Sequence, residues 1–365
     1  MDMGPIAARA APPTPVCRVM VVDDSSLMRG LMMNYLYRAE GCEVVAVATN
    51  GAEAVEKLKH QPVDVIILDI EMPVMDGLSA IAPLKAVDRS VQIVMASTLT
   101  QRNAAISLRA LALGASDYIP KPTAAEHSAE GGSGFRHMLL EKVRELGKVA
   151  HTHVLRAPLQ QKVPAAAVKL RPMPVEKPEI IAIASSTGGP QALINLIAKL
   201  GKHLPPVVIT QHMPPFFTTS LAQNIAAQCG VICAEAVDGE VLKYGHYYIA
   251  PGDFHLTVSG HSGNAVASLN KEQPENFCRP SANPMLRSIA AVYGKNALAL
   301  VLTGMGQDGC TGCDAIVKAG GAVFAQDEAT SVVWGMPGAV ANAGLCSAVM
   351  PLEDMARSVL KLAGV

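Results

Sequence analysis

Three side chains that could together make a nucleophile stand at the ends of apolar runs in this chain: the hydroxyl of Ser186, the imidazole of His212 and the carboxylate of Asp308. A serine hydroxyl attacks poorly unless a base takes its proton. An imidazole base in turn needs an acid partner to fix its tautomer and stabilise its charged form. Ser186 has the most telling neighbours, with Ala184 two residues before it and Gly188 two after. This is close to the G-x-S-x-G pattern, with Ala in the first glycine position. Small flanking residues permit a sharp corner between strand and helix. Such a corner lifts the hydroxyl clear of the sheet and aims the N–H groups of the helix start at a developing oxyanion. A connecting Gly-rich turn, or one that cradles a phosphate, would use similar residues. His255 and Asp253 are a rival base and acid, but they share one turn that is better suited to lining a cleft or pinning a loop. The order Ser…His…Asp also differs from the Ser…Asp…His order of α/β-hydrolases, which points to another sheet arrangement.

A second polar group gathers in the first third of the chain: Asp23, Asp24, Asp69, Ser97 and Lys121, all at or just beyond apolar segments. Three close carboxylates repel one another, and a hard oxygen-seeking dication relieves that repulsion; Mg²⁺ is the natural choice. Lys121 supplies a counter-charge, and one carboxylate in this setting could attack phosphate to form an aspartyl phosphate.

The elements that must position these groups follow from the apolar pattern. Arg18–Val22, Glu43–Ala48, Val63–Leu68, Gln92–Ala96 and Asp117–Ile119 are expected strands, separated by helical segments such as Gly51–Lys59. Such alternation gives an open parallel sheet wound on both faces, with ligands beyond the carboxyl ends of the strands. After residue 178, Ile180–Ala184, Pro206–Thr210, Val231–Ala236, Val241–Ile249 and Ala297–Leu302 are expected strands. Gln191–Leu200, Phe217–Cys229 and Pro280–Tyr293 are expected helices, and residues 256–269 a hairpin. The fold class expected is therefore α/β throughout: a doubly wound, flavodoxin-like domain over 16–123, a linker over 124–177, and a Rossmann-like, mostly parallel domain over 178–365. Phe135–Val149 carries apolar residues at helical spacing and either completes the first domain or begins the connector. The Pro- and Ala-rich stretch 157–177 is expected to be exposed, and His151 and His153 near its start to be solvated.

With 30 Lys+Arg against 31 Asp+Glu, the chain has no basic excess to support nucleic-acid binding. No apolar run is long enough to span a bilayer and no secretory pattern opens the sequence, so a cytoplasmic protein without membrane insertion is expected. The eight cysteines are scattered and form no framework. Cys310 and Cys313 have the spacing of a metal or redox pair but no second pair to complete it.

The first segment resembles two-component receiver domains through Asp23-Asp24, Asp69 with Met72-Pro73 and Asp76-Gly77, Ser97 and Lys121-Pro122. The resemblance implies that Asp69 is phosphorylated. It further implies that Asp23, Asp24, Asp69 and the backbone carbonyl of Glu71 hold Mg²⁺, that Ser97 and Lys121 bind the phosphoryl group, and that Tyr118 is a switch aromatic. The second domain resembles the catalytic domain of the chemotaxis protein-glutamate methylesterase/glutamine deamidase, the CheB family. The residues that carry this are Ser186-Thr-Gly-Gly189, Gln211-His212-Met-Pro214, Tyr248–His255, Arg279-Pro-Ser281, Leu302–Gly309 and Ala325–Pro337. That resemblance implies Ser186 as nucleophile, His212 as base and Asp308 as acid. Thr187 and Met305 would line the pocket, Met305 as a backbone oxyanion donor, and hydrolysis would need no cofactor. It also implies methyl-accepting chemoreceptors as substrate and a chemotaxis histidine kinase as phosphodonor. The chain departs from the family at Asn283, where Asp is frequent, at Phe216, where Gly is frequent, and at Ala184-Ser185, where Gly-Ala is usual. A hydrolase-like domain serving only as a binding module is the competing reading.

Overall fold

The computed structural model describes residues 16–122, 132–155, 168–173 and 176–365. Residues 1–15, 123–131, 156–167 and 174–175, the latter three including parts of the expected linker, lie outside the described residues.

The first sheet is built from β1 (Cys17–Val22), β2 (Cys42–Ala48), β3 (Val65–Asp69), β4 (Gln92–Ser97) and β5 (Asp117–Pro120). They pair in parallel in the order β2-β1-β3-β4-β5, the flavodoxin-like arrangement. Every residue of β3 and β4 is buried, as befits strands covered on both faces. The covering helices are α1 (Ser26–Tyr37), α2 (Gly51–His60), α3 (Gly77–Val87), α4 (Gln101–Ala112) and α5 (Gly132–Leu155). Ser25, Asn50, Asp76 and Thr100 cap the first four by accepting a backbone N–H. The Asp76-Gly77 pair has a steric reason: a Cβ on Gly77 would stand 2.0 Å from the Asp69 carbonyl oxygen, so the turn can lie against the end of β3 only without a side chain.

The second sheet has seven strands: β6 (Ile180–Ser185), β7 (Val207–Gln211), β8 (Ile232–Glu235), β9 (His246–Ile249), β12 (Ala297–Val301), β13 (Ala322–Gln326) and β14 (Ala348–Met350), with the antiparallel hairpin β10 (His255–His261)–β11 (Asn264–Asn270) apart from it. Its order is β14-β13-β12-β6-β7-β9-β8, parallel at every pairing. Helices α6 (Gly189–Leu200), α7 (Phe217–Cys229), α8 (Ala282–Tyr293), α9 (Cys310–Lys318), α10 (Met336–Asn342) and α11 (Leu352–Ala363) cover it. Chain order reverses around β6: β7 lies on one side and β12 on the other. A crevice therefore opens at the carboxyl end of β6.

Several expectations are revised. The strand expected over 241–249 is only β9, because Gly245, at φ +78°, turns the chain just before His246. The elements after Asp308, α9 to α11 with β13 and β14, are additional to those expected. His151 is half-buried, and its Nε2 lies 3.3 Å from Asp64 Oδ2. The side chain of His153 lies outside the described residues. In the stretch expected to be exposed, the described residues 169–173, 176 and 177 are exposed, although the Arg171 N–H donates to the Cys346 carbonyl at 2.8 Å and the partly buried Val168 packs on the second domain's core. All eight cysteines are free thiols, with Cys310 and Cys313 within α9.

The two domains share a core. Helix α5 buries Phe135, Leu139, Val143 and Leu146 against Val19, Val65 and Val94 of the first sheet, and Met305 and Val333 of the second domain join the same cluster. Tyr118, buried, stacks on Phe217 of α7 with ring centroids 4.5 Å apart.

Candidate active site

Strands β12, β6 and β7 are neighbours, and each chain segment leaving their carboxyl ends carries one of the three residues singled out by type: Asp308, Ser186 and His212. The corner after β6 is fixed from both sides. The Ser186 N–H donates to the Thr303 carbonyl at 3.0 Å, and Gln211 Nε2 donates to the Ser186 carbonyl at 2.9 Å. Ser185 Oγ donates to Gln211 Oε1 at 2.7 Å, so the side chain before His212 grips the elbow on which Ser186 sits. Gly188 turns at φ +75° into α6. Gly304 lies so close beneath that a Cβ there would meet Ser186 Cβ at 2.9 Å and Ser186 N at 3.0 Å.

His212 Nε2 is 2.7 Å from Asp308 Oδ2. The carboxylate is 2 % exposed and fully engaged: Oδ2 also accepts the Ala282 N–H at 2.6 Å, and Oδ1 accepts Ser281 Oγ at 2.7 Å and Asn276 Nδ2 at 3.1 Å. Asp308 thus sits on the N-terminus of α8, where unpaired N–H groups favour negative charge. Burial alone would raise its pKa, but His212, the Ala282 N–H and Ser281 outweigh that and hold it at about 2. The other ring nitrogen, Nδ1, faces Cys278 Sγ at 3.6 Å. Burial opposes charge on His212, yet Cys278 and Asp308 on its two nitrogens favour it, and the net direction of its pKa is upward from the ordinary histidine value. With both nitrogens so occupied, Ser186 Oγ makes no hydrogen bond to the imidazole in this arrangement.

Ser186, His212, Met305 and Asp308 line a cavity of about 640 Å³, and Tyr118, His137 and Glu141 of the first domain form its opposite wall. Thr187 does not join that lining: it is fully buried, and its hydroxyl donates to Asp117 Oδ2 at 2.5 Å. Lys142 of α5 pairs with the same carboxylate oxygen. His255 and Asp253 are elsewhere engaged. His255 is buried between the Ser281 N–H and the Gln273 carbonyl, and Asp253 pairs with Arg279 and Lys271. At the departures named above, Asn283 accepts the Gly312 N–H at 2.9 Å, and Phe216 takes φ +71°, the region that favours glycine.

Cys278, Asn276 and Asp117 carried no pattern that marked them beforehand. Ser281 stood in a quoted motif without a role; its place just ahead of an apolar helical run, as the cap of α8, was the available signal.

At the other sheet edge, Asp23, Asp24 and Asp69 bring carboxylate oxygens within 4.8 Å of one another. Lys121 Nζ lies 2.7 Å from Asp69 Oδ1 and 2.8 Å from Asp23 Oδ2. Three carboxylates this close, with the single Lys121 ammonium beside two of them, fit a hard dication. Burial raises the Asp69 pKa against the pull of Lys121, and burial lowers that of Lys121 while Asp23 and Asp69 raise it, with a net rise. Ser97 is buried and accepts from Ser107 Oγ at 3.3 Å; Glu71 is exposed.

Comparison with known proteins agrees with this two-part architecture. Residues 19–130 match the response regulator receiver domain and residues 181–359 match the CheB methylesterase. A protein-glutamate methylesterase/protein-glutamine glutaminase of Rhodospirillum centenum is 49% identical over 95% of this chain and 94% of its own length. One of Azospirillum brasilense is 51% identical over 95% of this chain and 92% of its own length. The solved CheB methylesterase catalytic domain of Thermotoga maritima is 40% identical, covers 51% of this chain and 98% of its own, and superposes with a TM-score of 0.49. Built from a receiver domain and a CheB methylesterase domain in one chain, and matched along nearly its whole length, the protein belongs to the CheB family of protein-glutamate methylesterases/protein-glutamine glutaminases.

Proposed function

We propose that Ser186, His212 and Asp308 are the nucleophile, base and acid of a protein-glutamate methylesterase and glutaminase, and that phosphorylation of Asp69 turns it on. The observation that carries this reading is the delivery of the three groups by adjacent strands β12, β6 and β7, with His212 already paired to Asp308 at 2.7 Å. The substrate would be a γ-methyl ester of glutamate, or a glutamine, on a chemoreceptor's cytoplasmic helix, and the phosphodonor a chemotaxis histidine kinase. A cytoplasmic location follows from those partners. The domain bounds remain 16–123, with α5 added to the receiver, and 178–365.

In the reaction, His212 takes the Ser186 proton and Ser186 Oγ attacks the γ-carbonyl. The Met305 N–H, beside the elbow, helps to hold the oxyanion. His212 then protonates the departing methoxide or amine, and water hydrolyses the acyl-enzyme with His212 again as base. His212 is turned to Cys278 and Asp308 and not to Ser186, and α5 of the receiver walls the cavity. The arrangement described is therefore the resting one. In the receiver, Asp23, Asp24, Asp69 and the Glu71 carbonyl would hold Mg²⁺, which neutralises charge around the phosphoryl group. Phosphorylation replaces the single negative charge of Asp69 with an acyl phosphate of about −1.5 to −2, with three acceptor oxygens. That charge draws on Lys121 and Ser97, and Lys121 follows Tyr118 by three residues on β5 and its exit. Tyr118 is stacked on Phe217 and its neighbour Asp117 holds Thr187, so a shift of β5 loosens both contacts with the second domain.

A methanol-release assay on methylated receptor tests the proposal. The Ser186→Ala variant should lose at least about a thousandfold in rate, while Asp69 still takes up phosphate from a small donor. If Ser186→Ala released methanol at the normal rate, the second domain would be a binding module instead.

A further inference from the structure

Cys278, His212 and Asp308 form a second line of nucleophile, base and acid in the same cavity. Cys278 Sγ is 3.6 Å from His212 Nδ1, and His212 Nε2 is 2.7 Å from Asp308 Oδ2. Cys278 is half-buried and lines the cavity alongside Ser186. Its loop is held in place on both sides: Cys278 and Glu275 exchange backbone hydrogen bonds at 2.9 and 3.2 Å, and Asn276 donates to Asp308. The sulfur is thus fixed against the imidazole while one side stays open to a small solute. The remaining seven cysteines lie outside this cavity, and burial pushes each of their thiols up, to about 12 for Cys233 and Cys346. A thiol reacts as its thiolate, and an imidazole nitrogen within reach can take its proton.

We infer that Cys278 is a modification site at which a hydroperoxide reversibly switches off the esterase. The inhibition rests on the esterase reading above; the modification does not. His212 Nδ1 takes the thiol proton. The thiolate attacks one peroxide oxygen, the O–O bond breaks, and the leaving oxygen takes a proton from His212 to depart as water or an alcohol. Sulfur is oxidised by two electrons to a sulfenic acid and the peroxide is reduced. The added oxygen stays between Cys278 and the ring, and keeps His212 from turning to Ser186. A thiol reductant displaces that oxygen as water to give a mixed disulfide, and a second thiol restores Cys278.

The experiment treats the purified, reduced full chain with hydrogen peroxide and traps sulfenic acid with a dimedone probe. Peptide mass spectrometry locates the label, and methanol release from methylated receptor is followed in parallel. Cys278 should label at least about tenfold faster than any other cysteine, and His212→Gln should slow that labelling about tenfold. Activity should fall in step with the label and return with dithiothreitol, and Cys278→Ser should keep the fraction of its own activity that the wild type loses. Label elsewhere, or labelling indifferent to His212, would overturn the site. Label at Cys278 with activity untouched would overturn the switch. If the untreated protein released no methanol, the esterase reading would fail while the labelling contrast still decided the chemistry at Cys278.

Discussion

The hydroxyl of Thr187, the residue that follows Ser186, donates to the carboxylate of Asp117 on the receiver's last strand at 2.5 Å. A single hydrogen bond therefore ties the elbow of one domain to the sheet of the other. Thr187→Val keeps the side-chain volume and removes the donor, while Lys142 continues to pair with Asp117. A hydrogen bond to a charged group contributes about 1.5 kcal/mol or more, so loss of the tie should raise methanol release by the unphosphorylated protein at least about tenfold. An unchanged or lower basal rate would show that the bond does not hold the resting state.

Asp69 provides the matching test at the other end of the path. Asp69→Asn removes the proposed phosphate acceptor and leaves an amide near Lys121. Adding a small phosphodonor should then change the esterase rate by a factor of about one, against clear stimulation in the parent chain. Full stimulation of the variant would place the switch elsewhere.

Asp308 sets an acid limit on stability. Its carboxyl is held at about 2 in the folded chain, below its ordinary 3.8. A depressed carboxylate contributes stability that is complete above the unfolded value and fades as pH falls through the folded one. The contribution is about 2 kcal/mol, lost between about pH 4 and pH 2. Urea unfolding of the wild type should weaken over that window by this amount more than unfolding of Asp308→Asn. Parallel curves would show that other carboxylates carry the acid limb.

Gly304 has no room to grow. A methyl there would stand 2.5 Å from Met336 Sδ and about as near to Ser186 as its own backbone permits, 3.0 Å from Ser186 N. The thioether can move aside, but the Ser186 backbone cannot do so without tilting the nucleophile. Gly304→Ala should therefore fold, with a melting temperature a few degrees lower, and lose at least about tenfold in kcat. A rate within twofold of the parent would mean that Ser186 tolerates displacement.

Much of this architecture could be read from local pattern. Short apolar runs that end in Asp23, Asp69, Ser186 or His212 declare both a parallel strand and the edge at which its polar residue emerges. The pairing of strands is another matter. That β6 lies between β12 and β7 depends on contacts between segments more than a hundred residues apart, and no periodicity encodes it. The partners of the site were hidden for the same reason. Asn276 and Cys278 lie in a short polar loop without period, and only the folded chain shows that this loop reaches both His212 and Asp308. The family resemblance implied that Thr187 lines the pocket, but the receiver's Asp117 claims its hydroxyl, a contact outside the second domain altogether. His151 looked solvated from composition alone, whereas α5 runs on to Leu155 and carries it to Asp64.

The apolar stripe of α5 is sealed partly by Met305 and Val333, so the opening proposed for the phosphorylated chain would meet a wetting problem. Whatever opens the cleft uncovers oily surface beside the serine. A helical receptor segment arriving there would find a greasy landing strip as well as a reactive hydroxyl, and part of the cost of opening would be returned on docking.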